Sequence, residues 1–83
     1  MLPSHFVYVL RSSIDHERYY AGLTTNMSTR LATHNSGGSV HTRQNRPWQL
    51  VVSLEFTSAD SAVAFERYLK SGSGRAFAKR HFR

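Results

Sequence analysis

Two short apolar runs near the start of the chain, separated by a polar segment, predict its first structural element. Residues 6–10 and 18–22 are both rich in β-branched and aromatic residues. The polar residues 12–17 between them are too few to hold another element. The two runs are therefore predicted to pair with each other as an antiparallel β-hairpin.

The register of this hairpin decides which tyrosines face each other. A turn centred on Ile14 places Tyr8 directly opposite Tyr20, on one face of the sheet. A shift of one residue pairs Tyr8 with Tyr19 instead. Because the turn lacks the glycine that a three-residue turn prefers, the sequence leaves both registers open.

A helical pattern follows the hairpin. A helix of about ten residues is predicted to begin after an N-cap at Thr25 or Asn26 and to end at Gly37. At about 100° per residue, Arg30 and His34 share the apolar stripe of this helix. We therefore expect the Arg30 guanidinium to be half-buried, a position that requires a neighbouring anion.

The second half of the chain predicts a loop, a strand and two more helices. Residues 36–47 are rich in Gly, Ser and Arg and show no periodicity, which indicates a loop. The apolar residues 48–56 predict a third strand, which we expect to be the central or best-covered one. A capping box from Thr57 to Asp60 predicts a helix that reaches about Lys70.

Residues 73–83 predict a last short helix, pinned by Phe77 and Phe82 with its cations outside. The elements then follow in the order β-β-α-β-α-α. A chain of 83 residues buries only a limited core. We therefore expect a single domain, with its core at about residues 6–82 and any active site in a shallow surface cleft.

Charge narrows the range of partners. The chain has 11 Lys and Arg against 5 Asp and Glu, a formal net charge of +6, and the basic residues are concentrated in its second half. This concentration predicts an electrostatic footprint on nucleic acid, while attraction to a membrane surface and simple solubility are the alternatives. The candidate phosphate contacts are His41, Arg43, Arg46, Lys70, Arg75, Lys79 and Arg80.

Two classes of protein are excluded by composition. The chain has no cysteine, so it forms neither disulfide bonds nor thiolate zinc sites. The sequence shows no secretory leader pattern and no segment of the length needed to span a bilayer. These features predict a soluble, cytoplasmic protein that does not span a membrane, and no membrane is counted among its expected partners.

One carboxylate occupies an unusual position. On the helix predicted after residue 57, Glu66 lies in the middle of the packing face, beside Phe65 and Leu69. An ionised carboxylate there is costly unless it is paired, bound to a metal or open to a cleft. The structural alternative for Glu66 is a buried ion pair with Arg30.

Together, these residues have the chemistry required for metal-assisted phosphodiester hydrolysis. Glu66 can hold one Mg²⁺ or Mn²⁺ ion that keeps most of its waters. Arg30 can clamp the scissile phosphate and stabilise the charge of the transition state. Tyr8 or Tyr20 can activate the attacking water, because a nearby cation favours the phenolate. His34 either joins this site or has a purely structural role.

The sequence resembles the GIY-YIG nuclease superfamily from residue 6 to about residue 82. Residues 6–8 (Phe-Val-Tyr) and 20–22 (Tyr-Ala-Gly) are similar to the two motifs that give the family its name. Residues 30–35 resemble the helix that carries the family's phosphate-binding arginine and a following histidine. Residues 42–47 resemble a loop of the small stand-alone bacterial members, and Glu66 stands at the position of the metal-binding glutamate.

The resemblance implies an α+β fold, a three-stranded antiparallel sheet flanked by helices. It also implies a divalent-metal-dependent endonuclease that acts on branched, nicked or single-stranded DNA, with specificity that is weak or supplied by a protein partner. The alternatives are an inactive nucleic-acid-binding module on the same scaffold and a protein-interaction or membrane-surface domain. The catalytic residues implied by the resemblance are Tyr8, Tyr20, Arg30, His34 and Glu66.

Overall fold

The structure, a computed structural model, describes residues 4–83 and arranges them as three strands and three helices. Their order, β-β-α-β-α-α, is the predicted one. No helix in this part of the chain is long and apolar enough to cross a membrane. The elements are β1 (His5–Ser12), β2 (Tyr19–Thr24), α1 (Met27–Ser36), β3 (Trp48–Phe56), α2 (Ala59–Leu69) and α3 (Gly72–His81).

The strands form one antiparallel sheet in the order β2-β1-β3. The prediction of an α+β fold with a three-stranded antiparallel sheet is confirmed. The prediction that residues 48–56 form the central strand was wrong, because β3 lies at the edge with Leu50 and Val51 exposed. The central strand is β1, whose residues 7–10 are all buried because both faces of the sheet are covered there.

The hairpin register differs from both predicted registers. Tyr8 pairs with Gly22, and Leu10 pairs with Tyr20. This register is shifted by two residues from the one centred on Ile14. Because side chains alternate with a period of two, Tyr8 and Tyr20 still lie on the same face as diagonal neighbours, with ring centroids 6.4 Å apart.

The turn itself explains the shift. The hydroxyl oxygen of Ser12 accepts hydrogen bonds from the backbone N–H groups of Ile14 at 3.2 Å and Asp15 at 3.0 Å. The backbone N–H of Ser12 donates to the carbonyl of Arg18 at 3.0 Å. These bonds stabilise a longer turn, which moves the centre of the hairpin from residue 14 to residue 15.

The sheet separates two apolar clusters, one on each face. The cluster on the α2/α3 face also contacts Phe77 and Phe82, as predicted for the last helix. Its buried members are Val7, Val9, Ala62, Leu69 and Ala78. The cluster on the α1 face consists of buried Tyr8, Leu10 and Trp48, with Tyr20, Met27 and Leu31 packed against them.

A β-bulge in β3 allows this one strand to serve both faces. The pairing of β1 with β3 shifts between Val52 and Leu50, so Val51 is an extra residue on β3. Val52 packs on the α2/α3 face, whereas Trp48 packs with Tyr8 on the α1 face. A regular strand would place all even-numbered residues of β3 on the same face.

Local capping bonds fix the ends of the helices. Asn26 caps α1 by accepting a hydrogen bond from the backbone N–H of Thr29 at 3.1 Å, and Gly37 ends this helix with a φ of 86°, as predicted. The predicted N-cap of the next helix was one residue too early. Ser58, not Thr57, caps α2 through its hydroxyl oxygen.

The junction between α2 and α3 is held by close backbone contact. Gly74 is buried against the last turn of α2, where its Cα faces the backbone of Tyr68 and Leu69. A Cβ at this position would overlap the carbonyl of Tyr68 and lie 2.7 Å from the Cα of Leu69. Only glycine therefore fits where α3 turns back onto α2.

Candidate active site

A buried chain of hydrogen bonds lies on the α1 face of the sheet. The Tyr8 hydroxyl is 2.7 Å from His34 Nε2, and His34 Nδ1 is 2.5 Å from the Thr42 hydroxyl. All three residues are at most 1% exposed. Because each polar group has a partner, the three side chains hold one another in fixed orientations.

Each member of this chain comes from a different element, and backbone geometry brings them together. Tyr8 lies on the central strand β1, His34 on the last turn of α1, and Thr42 in the loop of residues 37–47. The Tyr8 ring lies over Gly22, its partner on β2. A Cβ at Gly22 would overlap the Tyr8 hydroxyl, so this glycine provides the space for the phenol.

Burial determines the protonation states of the pair. Burial raises the pKa of Tyr8 far above its ordinary value, and electrostatic interactions with Tyr20 and with the Glu66 carboxylate raise it further, against the opposing effect of Arg30. Burial and Arg30 both lower the pKa of His34. The pair therefore consists of a neutral phenol and a neutral imidazole, with Nε2 bonded to the Tyr8 hydroxyl and Nδ1 to the Thr42 hydroxyl.

This result corrects one expectation about Tyr8. Arg30 lowers the pKa of Tyr8, as a nearby cation was predicted to do, but burial outweighs this effect and the net shift of the pKa is upward. Tyr8 is a neutral phenol at neutral pH. Its hydroxyl is engaged with His34 and is not free to take a proton from a substrate or water.

Tyr20 connects the buried chain to the surface. This half-buried side chain has its ring centroid 5.1 Å from that of His34 and 6.5 Å from that of His41, on which it stacks with an interplanar angle of 20°. The Lys70 ammonium lies 5.7 Å from the same ring. Because His41 and Lys70 are exposed, Tyr20 is the tyrosine of the site that solvent and charged ligands reach.

Glu66 and Lys70 form an ion pair at the edge of the site. Lys70 Nζ is 2.8 Å from a Glu66 carboxylate oxygen, one helical turn apart on α2. The Glu66 side chain is only 18% exposed. The carboxylate is therefore near the surface but partly screened from water, and its charge acts on Tyr8.

Arg30 differs from its prediction. It is exposed instead of half-buried, and the structure of residues 4–83 contains no ion pair between Arg30 and Glu66. The reason is that α1 covers the sheet along a narrow line, with His34 as its one buried residue. The Arg30 charge still lowers the pKa values of both Tyr8 and His34, so the site lies within electrostatic reach of this guanidinium.

Glu66 provides the type of donor that a hard divalent cation prefers, a carboxylate oxygen, on a side chain that is partly exposed. Within residues 4–83, no three His, Asp or Glu side chains are grouped to enclose a metal ion. An ion at Glu66 would take its other ligands from water and from the phosphate of a substrate, as Mg²⁺ commonly does. The residues present therefore fit one weakly enclosed Mg²⁺ or Mn²⁺ ion.

Two loop arginines that were predicted to contact phosphates also donate hydrogen bonds within the protein. Arg43 Nε donates to the carbonyl of Gly37 at 3.2 Å, and Arg46 Nε donates to the carbonyl of Arg43 at 2.7 Å. These bonds fasten the loop to the end of α1. His41 is the predicted loop residue that the structure places directly beside Tyr20.

The predicted cations of α3 are divided between two clefts. Arg75 lines the cleft beside Tyr20 and Lys70. Arg80 lines a different cleft, next to Tyr68 and Phe77, and Lys79 is exposed. The structure therefore brings Lys70 and Arg75 to the candidate site and leaves Arg80 apart from it.

Sequence reasoning did not identify the role of Thr42. This residue is completely buried, and its carbonyl also accepts a hydrogen bond from Trp48 Nε1 at 2.8 Å. The backbone of Trp48 is held in turn by the side-chain amide of Asn35 through two hydrogen bonds. No pattern in the polar loop distinguishes Thr42 from its neighbours, so the sequence alone carries no signal for it.

Comparison with known proteins relates this geometry to a family. The GIY-YIG catalytic domain family matches the chain over residues 4–80. A UPF0213 protein of Staphylococcus haemolyticus is 36% identical over 73 residues, which cover 87% of each protein. The structure is similar to the solution NMR structure of a UPF0213 protein from Bacillus halodurans, with a TM-score of 0.56 and 32% identity over 92% of this chain and 80% of that one.

A longer relative also matches. The structure-specific endonuclease subunit SLX1 of Chaetomium globosum is 41% identical over 66 residues. The match covers 72% of this chain, which spans about a fifth of the length of the SLX1 relatives. The resemblance seen in the sequence is confirmed: this chain belongs to the GIY-YIG catalytic domain family.

Proposed function

We propose that the protein is an endonuclease that uses one divalent metal ion to hydrolyse phosphodiester bonds in DNA. The observation that carries this proposal is the convergence of functional groups around Tyr8. The rings of Tyr20 and His34 lie 6.4 and 5.7 Å from its ring, and the charges of Arg30 and Glu66 act on its hydroxyl. Membership of the family and the SLX1 relatives, named as structure-specific endonuclease subunits, support the same function.

Two charged residues are assigned to the phosphate and the metal. Arg30 is exposed, so its guanidinium can bind the scissile phosphate and stabilise the charge that develops there. Glu66 is the residue that would hold Mg²⁺ or Mn²⁺. When bound, such an ion polarises the phosphate and lowers the pKa of a bound water.

Tyr20 is assigned to the attacking water, with Tyr8 and His34 as positioning residues. A general base must reach the proton that it removes. The Tyr8 side chain is buried and already bonded to His34, whereas Tyr20 is accessible from the surface. The buried pair supports the Tyr20 ring and fixes its orientation.

The substrate is inferred to be recognised by its structure and not by its base sequence. Lys70, Arg75 and His41 surround Tyr20 with cationic and polar side chains suited to phosphates. Phosphate contacts position a protein on DNA but do not distinguish bases. We therefore propose branched, nicked or single-stranded DNA as the substrate, with any sequence or site specificity supplied by a protein partner.

A panel of end-labelled DNA structures tests the proposal. Flap, nicked, branched, single-stranded and duplex DNA are incubated with the protein in Mg²⁺, in Mn²⁺ and in EDTA. We expect nicking that requires metal and favours the branched or nicked forms. If no DNA is cut in either metal, the protein is not an endonuclease, and retention of DNA without cutting would make it a binding module.

The decisive variant is Glu66→Gln. Gln has nearly the same volume but no charge, so we expect cleavage to fall at least about 10²-fold. DNA binding in EDTA should persist, and stability should change by less than about 1 kcal/mol, because Glu66 forms one partly exposed ion pair. Glu17→Gln, which removes a charge from the exposed hairpin turn, is the control and should cleave normally.

A further inference from the structure

A cleft of about 270 Å³ opens between the hairpin and the helices α2 and α3, directly beside Tyr20. Its floor is aliphatic and includes Leu69 and Ala78 from the two helices. Its rim is aromatic and cationic, formed by Tyr19, Lys70, Arg75 and Arg83. An apolar floor under a cationic rim suits a ligand that is flat and uncharged at one end and anionic at the other.

The cations of the rim are available to such a ligand. The Arg83 guanidinium lies over the Tyr19 ring, 4.3 Å from its centre, so the two are stacked and the guanidinium presents its outer face to the cleft. In the described part of the chain, no carboxylate pairs with Arg75 or Arg83. Lys70 is the one rim cation with an acidic partner, Glu66.

We propose that this cleft binds one unpaired nucleotide of the DNA, next to the phosphate that is cleaved. The inference rests on the proposed endonuclease function and specifies its substrate. The base enters over the aliphatic floor and stacks against Arg83 and Tyr19, and Arg75 binds its phosphate. Bases stack on aromatic rings and guanidinium groups with little dependence on their identity, which suits recognition without sequence preference.

Size and position support one unpaired nucleotide. The cleft is at the small end of ligand pockets, which typically start at about 300 Å³, so it admits a single base and not a base pair. Tyr20 and Lys70 line the cleft and also belong to the candidate active site. A nucleotide in the cleft is therefore a direct neighbour of the phosphate bound at that site.

The test compares DNA flaps that differ by one missing base. A single abasic residue is moved along the unpaired strand of a fluorescent flap, and binding is measured by anisotropy in EDTA. We expect one position to weaken binding about tenfold, because the phosphate remains but the stacking is lost. Affinity should fall steeply with salt for every flap, while the ratio between abasic and complete flaps stays constant.

Variants of the rim identify the site. Tyr19→Ala and Arg83→Met should each remove the dependence on abasic position. Arg80→Met, at the end of α3 shortly before Arg83 but in a different cleft, is the matched control. It should weaken binding to all flaps by one common factor and keep the positional dependence. Circular dichroism monitors folding, and Arg83→Met alone decides the result if Tyr19→Ala does not fold.

The outcomes separate this inference from the proposed function. Equal affinity for all flaps, or a positional dependence that survives in both rim variants, would overturn the nucleotide cleft. Metal-dependent cutting without any positional dependence leaves the endonuclease in place but rejects the cleft. A positional dependence that disappears in the rim variants supports the cleft, even if no DNA is cut and the endonuclease function fails.

Discussion

The two faces of the sheet are built by different interactions. On the α1 face, the buried side chains of Tyr8, His34 and Thr42 are joined by hydrogen bonds. On the α2/α3 face, aliphatic and aromatic side chains fill the interior, and charged groups such as Lys70 remain near the surface. The side chains of the α1 face are therefore held in fixed orientations. On the α2/α3 face, charged side chains lie above a packed apolar cluster and can change conformation.

The difference predicts how each face responds to substitution. Removing one member of a satisfied, buried polar chain leaves another group without its partner, which is costly. Removing a surface cation costs little stability, because water replaces the lost contact. On the α2/α3 face, substitutions should lower stability where two backbones are in contact and should have little effect on stability at exposed charged residues.

The largest expected effect concerns the backbone contact between α2 and α3. Gly74→Ala places a methyl group into the carbonyl of Tyr68, which cannot move without shifting the helix. We expect the free energy of unfolding to fall by about 3 kcal/mol or more, measured by urea denaturation. Gly72→Ala is the control, because a Cβ at Gly72 meets nothing within 4 Å. It should leave stability unchanged or slightly raised, and equal losses in both variants would contradict the close-contact explanation.

On the α1 face, the corresponding change is Tyr8→Phe. The ring is kept, but His34 Nε2 loses its hydrogen-bond partner in a buried position. We expect a loss of about 1–3 kcal/mol in urea denaturation.

Tyr20→Phe is the matched variant for Tyr8→Phe. The Tyr20 hydroxyl is on a half-buried side chain, so Tyr20→Phe should lower stability less than Tyr8→Phe does. Cleavage should fall further in Tyr20→Phe than in Tyr8→Phe if Tyr20 activates the water. If Tyr20→Phe cleaves normally and Tyr8→Phe is inactive, then Tyr8 activates the water and Tyr20 is the positioning residue.

The α1 face should also be the one that responds to acid. The pKa of His34 is lowered in the folded protein, so below its ordinary value of about 6.5 the unfolded chain binds a proton more readily. The stability that neutral His34 contributes is fully present above pH 6.5 and is lost as the pH falls through the lower folded pKa. Between pH 6.5 and 5, this loss is at most about 2 kcal/mol.

Urea midpoints at pH 7.5 and 5 measure this dependence. His34→Gln should flatten the change with pH, while the exposed His16→Gln should keep it. A pH dependence that is the same in both variants would show that another group causes it.

The smallest expected effect on stability is that of Lys70→Met. This variant removes an ion pair in which the lysine side chain is 50% exposed, so stability should change by less than about 0.5 kcal/mol. If Lys70 contacts a phosphate, DNA affinity should fall and the slope of log affinity against log salt should decrease by about 0.7–0.9. An unchanged slope would exclude Lys70 from the DNA interface.

Much of the fold was predictable from local patterns. Alternation and capping residues gave the order of the elements and the ends of α1, because these depend on neighbours along the chain. The hairpin register depended on Ser12, whose hydroxyl stabilises the longer turn. The position of β3 at the edge of the sheet depends on long-range pairing. Its apolar residues Leu50 and Val51 indicated a central strand instead.

The candidate site was predictable where it follows from periodicity. The observed hairpin register differs by two residues from the predicted one centred on Ile14, so Tyr8 and Tyr20 lie on the same face of the sheet in both. His34 lies on the helical stripe that packs against them. The exposure of Arg30 depends on how narrowly α1 covers the sheet, which its sequence does not specify. Thr42 becomes part of the site only through the path of an irregular loop.

The number of residues between Trp48 and the bulge at Val51 determines which face of the sheet Trp48 lies on. Because side chains alternate between the two faces, deletion of Gln49 would move Trp48 one position along β3 and turn it toward the α2/α3 face, whereas deletion of the extra residue Val51 would leave the pairing of Trp48 with Ser12 unchanged. In the Gln49 deletion, Thr42 and Asn35, which bond Trp48, would lose their partner together. Insertions and deletions should therefore be tolerated in the hairpin turn at residues 13–18 but selected against between Trp48 and the bulge, even though β3 lies at the edge and is far from fully buried.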